Sequence, residues 1–170
     1  MTTQDFLIKW GVYGLALLPV WFCQAFVLNR LPFLPLTPML LPLAAVCVAV
    51  LEGAVAGAGF GLAVGVLCDA VYFGTNGAMT VGVCVVGMAA GALAQYLLRQ
   101  NLLGCLLCSL LSLAAMDGIR ILARLFWGDW ELGAMLSLAG REILLSLIFV
   151  FPVYALFLWV YRRVPKKTVL

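Results

Sequence analysis

The chain has 170 residues, of which 66% are hydrophobic and 10% charged, against about 25% charged in an ordinary soluble domain. A mean hydropathy of +1.17 and uncharged runs that use up nearly the whole length exclude a separate water-soluble domain and point to one integral membrane domain over 1–170. The absence of histidine removes serine-histidine and cysteine-histidine catalysis and histidine metal sites. The net charge of +3 gives no reason to expect nucleic acid, because four of the ten basic residues lie in the last nine positions.

A spanning helix needs about 20 apolar residues, and the uncharged runs predict six spans, over about 6–28, 38–51, 54–71, 78–98, 102–122 and 142–161. The first has no small-residue cleavage site after it and reads as a retained span rather than a signal peptide. Asn29 to Pro38 follows, and its three prolines argue for a loop or a short re-entrant piece. Glu52 and Gly53 divide the second span from the third. Asp69 and the turn-like stretch Tyr72 to Gly77 close the third, and Arg99, Gln100 and Asn101 close the fourth. The fifth carries Asp117 and Arg120 near its end. Ala123 to Gly140, with Arg124, Trp127, Asp129, Trp130 and Glu131, is too polar to span and is expected to lie along the membrane surface, its tryptophans forming an interfacial belt.

An even number of spans puts both termini on one side. Arg162, Arg163, Lys166 and Lys167 mark that side as the cytoplasm by the positive-inside rule. Lys9, Arg99 and Glu52 then belong to the inner surface, while Asp69, Asp117 and the tryptophan segment belong to the outer one. All six cysteines sit in apolar runs, where a free thiol behaves as a small hydrophobe. Cys105 and Cys108 spell C-x-x-C, but no second ligand pair accompanies them. Neither a metal site nor a cofactor is expected.

The sharpest local pattern is Gly53, Gly57, Gly61, Gly65 and Asp69, five positions at a constant spacing of four. Residues four apart share one helix face, so the glycines form a slanted groove that admits another backbone closely. Gly87 and Gly91 on the next span offer a matching surface. The groove serves either tight packing within the bundle or docking of a partner protein's helix, and the abundance of glycine in membrane helices favours packing. The charges are the second pattern, because an ionised carboxyl is costly at the centre of a membrane helix. Asp69 and Asp117 fall near outer ends, and Arg120, three residues after Asp117, can pair with it on one face or reach Asp69 across spans. A structural ion pair is the simpler reading of these residues than a ligand or proton site.

The stretch Gly57 to Gly77, GAGFGLAVGVLCDAVYFGTNG, resembles the rod-shape-determining membrane protein MreD family, whose glycine-rich pattern ends in an aspartate and is followed by a glycine-bearing turn. Gly57, Gly59, Phe60, Gly65 and Asp69 fall close to that pattern, Gly74 and Gly77 supply the turn, and Asp117 is similar to an acidic residue of the family's fifth span. The resemblance implies a non-enzymatic scaffold subunit of the bacterial cell-elongation machinery in the cytoplasmic membrane. Its implied partners are an MreC-like single-span protein, a RodA-like glycosyltransferase and a class B penicillin-binding protein. It also implies an all-α, six-helix transmembrane bundle like the substrate-binding subunits of energy-coupling-factor vitamin transporters. Such a transport subunit, with an outward pocket near Asp69 and Asp117, is the alternative function, although the A-x-x-x-A pattern expected on its first span is missing. An intramembrane aspartic peptidase using Asp69 and Asp117 as a dyad ranks last, since neither aspartate stands in a G-x-G-D motif.

Overall fold

The computed structural model describes residues 3–27, 39–71, 77–96, 102–126 and 132–163, all of them helical except Met39, Gly53 and Gly77. The described residues form six α-helices: α1 (Thr3–Phe22), which runs on into a π-helical turn (Cys23–Val27), α2 (Leu40–Glu52), α3 (Ala54–Val71), α4 (Ala78–Tyr96), α5 (Leu102–Phe126) and α6 (Leu132–Arg163). Among the described residues, three stretches are long and apolar enough to cross a membrane: α4, Leu102–Leu122 of α5 and Leu136–Arg163 of α6. Asn29 to Pro38, Tyr72 to Asn76, Arg99 to Asn101, Trp127 to Glu131 and the Lys166–Lys167 tail lie outside the described residues.

The helices depart from the expected spans in two places. The 13 residues of α2 extend about 20 Å at 1.5 Å per residue, well short of the roughly 30 Å of bilayer hydrocarbon. Every residue from Leu40 to Leu51 is buried, so the expected second span is a short helix that runs through the core, enclosed by α1, α3, α4, α5 and α6. A helix that is apolar all round has no face to give to water and is stable only when enclosed in this way. The second departure concerns the expected surface segment: α5 continues to Phe126 and α6 already begins at Leu132. Residues 132–140 are therefore the first turns of a single 32-residue helix, not a separate interfacial piece.

The ends of α2 explain how so apolar a helix holds its register. Its first backbone amides have no partner inside the helix, and Met39 offers no side-chain cap. Neighbouring helices supply the acceptors: the Met39 N–H donates to Ser146 Oγ of α6 at 3.2 Å and the Leu41 N–H to Gln24 Oε1 of the π-helical turn at 2.7 Å. At the other end Gly53 takes φ +98° and ψ −178°, a backbone conformation open essentially to glycine alone, and its N–H closes onto Ala49 O at 2.8 Å. One residue thus joins α2 to α3. Near this junction Tyr13 of α1, Phe60 of α3 and Phe157 of α6 interlock with ring centroids 6.0–6.2 Å apart, Phe60 edge-on to both of the others and Tyr13 stacked with Phe157, both arrangements that aromatic rings favour.

Candidate functional site

The residues singled out by the sequence fall into a glycine seam and a polar group at its Asp69 end, and the structure adds a second polar group at its Gly53 end. Gly53 and Asp69 are 16 residues apart on the chain, so the two polar groups stand about 24 Å from each other along α3.

The seam is the contact of α3 with α4 and α2. A Cβ placed on Gly57 would lie 2.6 Å from Ala49 Cβ and 2.6 Å from the Gly87 carbonyl oxygen; on Gly61, 2.7 Å from Val83 O; on Gly65, 2.5 Å from Thr80 Cα. From the opposite side, one on Gly87 would lie 2.5 Å from Gly57 O and one on Gly91 2.7 Å from Ala54 Cα. Gly53, where the chain turns, carries the Gln95 amide directly over its Cα. All six glycines face backbone or side chains of this same chain, so the groove is filled from within and presents no open face to a partner's helix.

At one end of the seam, Asp69 in the last turn of α3 accepts from the Thr80 backbone N–H at 3.0 Å and from the Thr80 hydroxyl with the same carboxylate oxygen. Thr80 lies in the first turn of α4, where amides lack helical partners and the helix dipole favours a negative charge. Asp69 therefore caps α4 from the neighbouring helix. Arg120 of α5 reaches the same turn: its Nη2 is 3.5 Å from Met79 Sδ, and its Nη1 is 3.7 Å from Asp117 Oδ1 on its own helix. Glu142 of α6 stands within electrostatic reach of Asp117 and Arg120. The group ties the end of α3, the start of α4 and the later turns of α5 together through hydrogen bonds and charge.

Replacing Asp69 by asparagine is expected to cost less than replacing it by leucine, since an amide oxygen still accepts from the Thr80 N–H while leucine leaves α4 uncapped. Loss of such a cap costs about 1 kcal/mol. Thermal unfolding in detergent measures it, and equal destabilisation by the two substitutions would refute the capping role.

The group at the Gly53 end was not legible as a unit in the sequence. Glu52, at the C-terminus of α2, accepts from Lys9 Nζ at 2.5 Å through Oε2 and from the Tyr13 hydroxyl at 2.8 Å through Oε1. The Lys9 and Glu52 side chains are only 13% and 11% exposed, and Tyr13 is fully buried. Lys9 and Tyr13 lie four apart on one face of α1, which is the signal that joins them. Nearby, Cys47 and Cys105 bring their buried sulfurs to 3.5 Å, and all six cysteines are free thiols. No family model, curated protein or solved structure matches this chain.

Proposed function

We propose that the chain is a non-enzymatic scaffold of the bacterial cell-elongation complex, a multi-pass protein of the cytoplasmic membrane with both termini inside. The observation that carries this reading is how the ionisable side chains at both ends are used. Glu52 is engaged with Lys9 and Tyr13, Asp69 with the first turn of α4, and Asp117 with Arg120. Glu52 and Asp69 brace helices against one another and Asp117 is paired within α5, while the outward faces of α5 and α6 carry exposed leucines and isoleucines such as Leu103, Ile119, Leu144 and Ile148. A surface of that kind recognises lipid and other membrane helices. The MreD-like stretch from Gly57 to Gly77 names the client: an MreC-like single-span protein, with a RodA-like glycosyltransferase and a class B penicillin-binding protein beside it. In this reading the six helices form a bundle of the kind seen in energy-coupling-factor substrate-binding subunits, put to scaffolding use.

Depleting the protein from its rod-shaped host is expected to turn cells round or wide, read by phase-contrast microscopy over a few generations. Cells that keep their rod shape but come to need a vitamin would replace the scaffold with a transport subunit.

A further inference from the structure

The outer face of the α5–α6 pair holds a groove of about 420 Å³ whose walls include Leu103, Leu107 and Leu110 of α5 and Leu144, Ile148 and Phe151 of α6. On α6 the groove does not stop at Phe151. Leu144, Ile148, Phe151, Ala155, Trp159 and Arg162 recur three or four apart and are all exposed, so they form one continuous stripe along the helix. The stripe begins in hydrocarbon chemistry and ends in charge. Trp159, an interfacial residue type, stands one turn before the end, and Arg163 lays its guanidinium over the Trp159 ring at 4.2 Å. Arg162 and Arg163 are both exposed, and neither lies in the polar groups described above.

We propose that this stripe and groove bind one anionic phospholipid of the inner leaflet, with its phosphate at Arg162 and Arg163, its glycerol beside Trp159 and an acyl chain running past Ala155 into the groove. Lengths agree with this placement. Trp159, beside which the glycerol sits, to Ile148 is eleven residues, or about 16 Å of helix, and one leaflet contributes roughly 15 Å of hydrocarbon, half of the bilayer's. A chain anchored at the arginines therefore ends where Phe151, Ile148, Leu103 and Leu107 form the lower half of the groove. Charge selects the occupant. Paired arginines at an inner-leaflet boundary attract an anionic head group, whereas a partner helix running along the same stripe would have to cover the arginines with its own polar end. The small side chain of Ala155, between Phe151 and Trp159, leaves room for the chain to pass close to the helix.

The inference rests on the membrane reading but not on the cell-elongation role, and the test uses the purified full chain, so the two can fail separately. Protein purified in mild detergent is titrated with dioleoyl phosphatidylglycerol, dioleoyl phosphatidylcholine and dihexanoyl phosphatidylglycerol, and bound lipid is counted by native mass spectrometry. The expected result is one dioleoyl phosphatidylglycerol retained per chain and no phosphatidylcholine. The joint Arg162→Gln and Arg163→Gln variant, altered only at exposed positions, should hold that lipid about thirtyfold more weakly. Leu107→Trp, which fills the groove, should abolish the advantage of the dioleoyl over the dihexanoyl lipid while leaving the head-group preference intact. Equal retention of phosphatidylglycerol and phosphatidylcholine would overturn the proposal, as would indifference to both sets of substitutions or a dimer whose interface occupies the groove.

Discussion

Leucine at Gly61 or Gly65 is expected to abolish stable accumulation of the protein in the membrane, whereas leucine at Gly59, six residues or fewer from either, is expected to change nothing. The contrast comes from what each position faces. At Gly61 and Gly65 even a methyl group meets backbone of α4, at 2.7 Å from Val83 O and 2.5 Å from Thr80 Cα. Backbone atoms of a packed helix cannot rotate aside as a side-chain end would. The two helices must separate along their whole contact, and α4 then loses the Asp69 cap as well. Overpacking typically costs 1–3 kcal/mol, and a clash with backbone at the tightest seam of the bundle places these variants at or above about 3 kcal/mol. At Gly59 no atom stands within 4 Å, and the side chain projects outward. Immunoblotting of membrane fractions and thermal unfolding in detergent read both effects. If Gly61→Leu and Gly65→Leu accumulate and melt like the unaltered protein, α3 and α4 are not packed as described.

The second large effect belongs to Glu52. Replacing it with leucine leaves the Lys9 ammonium, 13% exposed, without its counter-charge and the buried Tyr13 hydroxyl without its acceptor. Removing one partner of a buried ion pair costs about 3–5 kcal/mol, largely because the other charge stays buried and uncompensated, while replacing both partners with apolar groups is often close to neutral. Lys9→Met combined with Glu52→Leu is therefore expected to be more stable than Glu52→Leu alone, even though it carries the additional change. A double-mutant cycle on unfolding free energies measures the coupling. Simple additivity of the two substitutions would mean that Lys9 and Glu52 do not hold α1 to α2.

Helical class, high apolar content and the approximate positions of five of the six helices could be read from composition and from the spacing of charges, because uncharged runs of helix length leave few alternatives. The glycine repeat likewise announced a close backbone contact: a constant spacing of four has a geometric meaning on any helix. That Asp117 and Arg120 could pair followed from the same local geometry, since three residues of separation puts both side chains on one face. Such inferences depend only on intervals along the chain.

Tertiary structure decided the rest, because it concerns which faces meet. The sequence of α2 resembles a short membrane span, and only its enclosure by five other helices makes it a core element. Asp69 was open to pairing with Arg120, and the position of α4's first turn relative to α3's last gave its carboxylate an amide and a hydroxyl to cap. Lys9 and Glu52 are 43 residues apart and their contact leaves no periodic trace in the chain. The glycine seam, readable as a groove, could not be assigned an occupant from α3 alone. Periodicity names the side of a helix that tolerates close approach, but the helix that approaches it is chosen by the packing of the whole bundle, and here α4 and α2 take that place.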